Sequence, residues 1–123
     1  MKPPVIIKSK DSPSCKVPKD WGYEIIFANN EQYCGKLLVF KKGCQFSMHY
    51  HLIKDETWYV QSGEFLFSWI DTKKAEVQEA KLVEGDSVRI NMGQPHQLKS
   101  LTGGTIFEVS TQHFNEDSYR IWR

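Results

Sequence analysis

Gly43-Cys-Gln-Phe-Ser-Met-His49-Tyr-His51-Leu-Ile-Lys-Asp-Glu56-Thr-Trp-Tyr-Val-Gln-Ser-Gly63 is the stretch on which the rest of the chain turns. Reduced to its skeleton it reads G-x5-H-x-H-x4-E-x6-G. Successive side chains of a β-strand point to opposite faces, so His49 and His51, two apart, present both imidazoles on one side. Glu56 follows a short polar bend, Lys54-Asp55, and heads the β-rich run Thr57-Trp58-Tyr59-Val60. A hairpin folds its carboxylate back beside the imidazoles. Two histidines and a carboxylate on one face are a usual set for a divalent transition metal. Gly43 and Gly63 are expected in the turns that end these strands, where φ is often positive.

A second stretch, Gly85-Asp-Ser-Val-Arg-Ile-Asn91-Met-Gly93-Gln-Pro-His96, runs turn, strand, turn, and ends on a histidine that opens a new strand. Together the two stretches resemble the paired motifs of the cupin superfamily. The first matches that pattern at each defining position. The second keeps Gly85, Gly93 and His96 but has Asn91 for the motif's proline and Ser100 for its final asparagine. Neither departure removes a ligand. The resemblance implies a metal set of His49, His51, Glu56 and His96. A lone histidine in a strand is ordinarily a core or surface residue; the conjunction of spacings is what points to a metal. The ion is one divalent transition metal, with Mn, Zn, Fe, Co and Ni all open.

The chain has 123 residues, which suits one domain. Sixteen basic against 15 acidic residues leave no basic excess for a nucleic acid or an anionic membrane. There is no apolar run of transmembrane length, and the apolar stretch near Met1 is too short for a secretory signal. Cys15, Cys34 and Cys44, odd in number and without CxxC spacing, fit a reduced, cytoplasmic protein. Cys34 and Cys44 can approach on paired strands, but a cytosolic location disfavours the disulfide.

Residues 1–20, with Pro3, Pro4, Pro13 and Pro18, are expected to form an N-terminal arm or edge strand, and residues 21–123 the domain. Trp21–Phe27 and Tyr33–Lys41 read as strands around a turn at Ala28–Glu31. The run Leu37–Phe40 suits a strand covered on both faces, with a homodimer partner as one cover. Glu64–Asp71 is a further strand. Ala75–Leu82 has helical propensity, but its place between a strand and a Gly-Asp turn favours a strand. Val88–Ile90, His96–Ser100 and Thr105–Ser110 complete the set, with Thr102-Gly103-Gly104 as a hairpin loop. Many short strands divided by Gly and polar turns predict an all-β sandwich or barrel. The cupin resemblance sharpens this to a small jelly-roll β-barrel with the metal inside its mouth.

Trp21-Gly-Tyr-Glu24, Tyr33-Cys-Gly-Lys36, His49-Tyr-His51 and Glu56–Gly63 further resemble the cupin domain of type II mannose-6-phosphate isomerases. The ending, Phe107–Thr111 with Asp117 and Arg120, is similar to that of D-lyxose isomerases. That likeness implies Lys36 and Glu108 as catalytic residues and Arg120 and Asp117 as sugar contacts. Plainer readings stand beside these: Lys36 as a solvated strand-edge lysine, Asp117 and Arg120 as a surface ion pair. Glu108 is the most informative, because a carboxylate in the apolar strand Ile106–Val109 is costly to bury without a partner or a function. His113 reads as a surface residue. Trp58, Phe65, Phe67 and Trp69 read as core, although Trp58 shares the face of Glu56 and can line the pocket and contact substrate. The resulting expectation is a metal-dependent aldose–ketose isomerase, or an isomerase-like binder, for a sugar or sugar phosphate. Two alternatives are an Fe(II)-dependent oxygenase and a non-catalytic small-molecule-binding cupin.

Overall fold

The computed structural model describes residues 2–8 and 16–123. The middle of the expected N-terminal arm, with Cys15, lies outside the described residues. Every regular element described is a β-strand: β1 (Lys16–Lys19), β2 (Gly22–Asn29), β3 (Cys34–Phe40), β4 (Met48–Tyr50), β5 (Glu56–Asp71), β6 (Glu76–Leu82), β7 (Ser87–Ile90), β8 (His96–Ser110) and β9 (Tyr119–Trp122). The strands curl into one antiparallel sheet in the order β1-β2-β3-β8-β4-β9, while β5 pairs with β6, β7 and β8. This is the expected all-β jelly roll. β6 is a strand despite its helical propensity, because its partner on β5 runs in register from Phe65↔Leu82 to Asp71↔Glu76. No helix among the described residues is long and apolar enough to cross a membrane.

Two expectations about glycine are corrected. Gly63 does not end a strand, and Gly103-Gly104 is not a hairpin loop. β5 and β8 run past these points as single strands of 16 and 15 residues, paired to each other along their length. Gly63 lies opposite Gly104, between two register shifts. Both have positive φ, 91° and 155°. A Cβ on Gly63 would sit 2.2 Å from the Gly103 carbonyl oxygen, and one on Gly104 2.3 Å from that of Ser62. The glycines therefore mark a bulged bend where two backbones cross closely. The bend also shifts parity along β5: Glu56, Trp58 and Val60 are buried before it, Phe65 and Phe67 after it.

That shift divides the interior in two. On one side of the bend an aromatic core forms from Trp21, Phe40, Phe65, Phe67 and Leu98, with Trp21 stacked on Phe40 at 4.4 Å and Phe65 edge-on to Phe40 at 5.3 Å. On the other side, inward positions also carry polar groups, with Lys36, Glu56 and Glu108 buried beside Trp58 and Ile106; His96 is buried too, on the same segment of β8 as Leu98. From Lys36 on, β3 alternates, with Leu38 and Phe40 inside and Leu37 and Val39 half-buried outside. Within one chain, the run Leu37–Phe40 is thus covered on one face only. Cys34 and Cys44 are both free thiols.

Candidate metal centre and polar cavity

β4 is short because its work is local. It carries His49, places His51 just beyond its end, and pairs His49 directly with His96 at the start of β8. Strand alternation and that single pairing bring three imidazoles together. Their ring nitrogens lie within 4.8 Å of one another. Each ring has its Nδ1 against a backbone carbonyl: His49 to Ser47 at 2.6 Å, His51 to Asp117 at 2.5 Å, His96 to Gln94 at 2.8 Å. A carbonyl only accepts, so each Nδ1 carries the proton and donates it. Each Nε2 keeps a free lone pair.

Burial pushes all three imidazoles below their usual range, to about 4 for His51 and about 3 for His96. Lys54 lowers His51 further, and His49 lowers His96. They are neutral at physiological pH, the form that binds metals. His96 Nε2 is buried without a hydrogen-bond partner. An orphaned lone pair of this kind costs stability unless something binds it. Three neutral nitrogen donors, oriented by backbone carbonyls, fit a divalent transition metal. Glu56, which heads β5, lies beside them: its Oε2 is 3.6 Å from His51 Nε2 and its Oε1 3.6 Å from His96 Nε2.

Behind the histidines lies a layer of charge. Glu108, on β8, is 4% exposed. Its Oε1 accepts a hydrogen bond from Trp58 Nε1 at 3.2 Å, and its Oε2 one from Lys54 Nζ at 3.3 Å. Burial opposes its charge, but Lys54 and Lys36 outweigh that and hold the carboxyl below its usual range. The same Lys54 ammonium pairs with Glu56 Oε2 at 3.3 Å, without the alignment of a hydrogen bond. Glu56 goes the other way: burial and the Glu108 charge push it up to about 8, against the pull of Lys54. For Lys54 burial works against the charge, yet Glu108 and Glu56 prevail and raise it above the usual lysine range. Lys36, buried on β3 opposite Glu108, has its Nζ 3.6 Å from Glu24 Oε1 and 3.4 Å from His113 Nδ1.

These groups line one cavity of about 870 Å³, together with Trp58 and Arg120. Arg120, on β9, is opposite His49 and exposed at the mouth. Lys36 is therefore no solvated edge residue, and Trp58, 1% exposed, is both core and cavity wall. Asp117 differs from expectation. It is neither a cavity wall nor the ion-pair partner of Arg120; its buried carboxylate accepts the backbone N–H groups of Leu52 at 2.8 Å, Ile53 at 3.2 Å and Lys54 at 3.1 Å. It shapes the loop that carries Lys54, and its own carbonyl orients His51.

Among the cavity residues that the sequence reading does not single out are Lys54 and His113. In the sequence Lys54 reads as part of a polar bend. Its signal was parity: Lys54, Glu56 and Trp58 are two apart and share a face. His113 reads as a surface residue, but it lines the cavity, half-buried and bonded to Lys36. No local spacing could have shown this, because the contact spans 77 positions.

Similarity to other proteins agrees with this fold. In structure the chain is similar to the capsular polysaccharide assembling protein CapF from Staphylococcus aureus, with a TM-score of 0.77 and 20% identity over 88% of this chain and 34% of that one. It is similar also to oxalate decarboxylase from Bacillus subtilis, with a TM-score of 0.77 and 18% identity over 86% of this chain and 29% of that one. At such identities the likeness is one of fold, and the chain spans about a third of either neighbour's length. No curated protein sequence matches it. The sequence does match the cupin domain over residues 36–109, more than half of the chain and the part that holds all three histidines, and the protein belongs to the cupin domain family.

Proposed function

We propose that this cupin is a metal-dependent aldose–ketose isomerase for a sugar or sugar phosphate. The observation that carries the reading is the placing of Glu108. It is a buried carboxylate, kept ionised by Lys54 and Lys36, in the same cavity as the three free imidazole lone pairs. Isomerisation moves a proton between adjacent carbons and needs a base that stays close to both. A divalent ion on His49, His51 and His96 supplies, when bound, the Lewis acidity that polarises the neighbouring carbonyl and hydroxyl oxygens. Glu108 takes the proton from the carbon beside the carbonyl and returns it to the former carbonyl carbon. Trp58 Nε1 holds one Glu108 oxygen and thereby aims the other. Lys54 and Lys36 offset the negative charge that gathers on the substrate oxygens. Arg120, at the mouth, is placed to receive a phosphate or a distal hydroxyl.

The likeness of the Trp21–Glu24 and Glu56–Gly63 wording to type II mannose-6-phosphate isomerases supports a sugar phosphate, and CapF's part in assembling a capsular polysaccharide supports a sugar. We also infer that two copies pair through the outer face of β2, β3, β8 and β5. The test of the activity is a panel of aldoses and their 6-phosphates, offered in deuterated water to protein loaded in turn with Mn, Fe, Co, Ni and Zn. Ketose carrying solvent deuterium is the expected product by NMR. Oxygen uptake without isomerisation would move the assignment to an oxygenase. Binding without turnover of any sugar would leave a binding protein.

A further inference from the structure

Lys54 is a cation built into the chain, and it stands where it competes with a metal for one carboxylate. Its Nζ lies 3.3 Å from Glu56 Oε2 and 3.3 Å from Glu108 Oε2, with the side chain 4% exposed. Its backbone N–H is anchored to Asp117 Oδ2 at 3.1 Å, so the residue is held at both ends. Glu56 in turn has one side toward Lys54 and the other toward His51 and His96. The three imidazole nitrogens form a mutual group within 4.8 Å that does not include this carboxylate.

A buried carboxyl group that already holds an ammonium at 3.3 Å is not free to take up a second cation without a cost. Turning it to a metal would strip Lys54 of one of its two partners and set a buried ammonium beside a divalent ion. We infer that Lys54 withholds Glu56 from the metal, so that this cupin's centre has three histidine ligands, with Glu56 as a neighbour held by Lys54. The inference rests on the metal reading above and departs from the four-ligand set implied by the family resemblance. Its consequence is chemical. Three neutral ligands leave the full charge of the ion uncompensated and keep one more position open, which suits a substrate that binds through two oxygens.

The experiment is a metal titration of the metal-free full chain with Co(II) and Zn(II), in competition with a chromophoric chelator, with the Co(II) visible spectrum as a report of the ligand set. Lys54→Met is expected to bind metal about 10–100-fold more tightly than wild type and to change the Co(II) spectrum as Glu56 joins. Glu56→Gln is expected to alter wild-type affinity by less than about threefold, yet to reverse most of the gain when combined with Lys54→Met. Wild type that binds no metal while Lys54→Met does would overturn the three-histidine centre, because the histidines alone would then not hold the ion. Unchanged affinity in Lys54→Met, or a tenfold or greater loss in Glu56→Gln alone, would overturn it and leave the metal reading standing, with Glu56 as a fourth ligand in the second case. No binding by any form would overturn both. Lys54→Gln serves where the methionine variant fails to fold by circular dichroism, and the Glu56→Gln arm leaves Lys54 in place.

Discussion

Glu108 is where the chemistry of this cavity is most exposed to test. Glu108→Gln keeps the shape and the acceptor for Trp58 Nε1 but removes the base. Isomerisation is expected to fall about 10²–10⁴-fold, with metal content and circular dichroism unchanged. Full activity in this variant would remove Glu108 from the reaction. The buried titrating groups also set an unusual pH profile for the metal-free protein. Imidazoles titrate near 6.5 in an unfolded chain, whereas burial pushes His51 to about 4 and His96 to about 3 in the fold. Acidification below 6.5 therefore protonates the unfolded chain first, and stability falls with falling pH. Glu56 has the opposite sign: pushed up from 4.5 to about 8, it ionises first in the unfolded chain, and stability falls as pH rises through that window. Below 6.5 the three histidines outweigh the one carboxylate; above it Glu56 acts alone among these four. Urea midpoints of metal-free protein are expected to peak near pH 6.5, and Glu56→Gln to flatten the alkaline limb. A midpoint that keeps climbing to pH 8 would contradict the placement of Glu56.

Among the elements, β5 and β8 decide the architecture, and their crossing at Gly63 and Gly104 is the point of greatest constraint. Gly63→Ala places a Cβ against backbone, 2.2 Å from the Gly103 oxygen, at a φ of 91°. Backbone cannot rotate away as a side chain does. The expected loss is roughly 2–4 kcal/mol in chemical denaturation, from strain at an unfavourable φ together with the clash. Gly85→Ala is the control: its φ is also positive, 93°, but nothing lies within 4 Å of the new Cβ, so about 1 kcal/mol is expected. Equal losses at the two sites would mean that the crossing is looser than the geometry requires. The expectation of turns at Gly63 and Gly103-Gly104 failed for a reason of this kind. Glycine in a sequence signals an unusual backbone, and a bulge between two long strands uses the same residue as a turn.

For the whole molecule, the open question is what covers the outer sheet. Ile25, Leu37, Phe107 and Tyr59 fall in one register row across β2, β3, β8 and β5. Around them Phe27 is 57% and Val109 60% exposed. A contiguous apolar face on four adjacent strands suits a twofold partner, for which a stable pair needs about 800 Å² from each copy. Sedimentation at micromolar concentration is expected to give a dimer. Val109→Asp, which places a charge in that face, is expected to give a folded monomer. A wild-type monomer under these conditions would sink the pairing.

Much of the fold is legible in the sequence, because it rests on local geometry. Period-two alternation put His49 with His51, and the Gly-x2-His spacing delivered His96 to the head of a strand. Alternation puts Ile106, Glu108 and Ser110 on one face, and the fold turns Ile106 and Glu108 inward. What tertiary structure alone decided are contacts between residues far apart in the chain. Asp117 shapes a loop 63 to 65 positions earlier, Glu108 meets Lys54 across 54, and Lys36 meets His113 across 77. Such pairings depend on sheet register and on how the last strand returns to β4, and no periodicity encodes either. The distinction between a four-ligand and a three-histidine centre belongs to the same class. The motif places Glu56 beside the histidines, but only the fold brings Lys54 and Glu108 together around it, and the balance among these buried groups then determines which cation Glu56 holds.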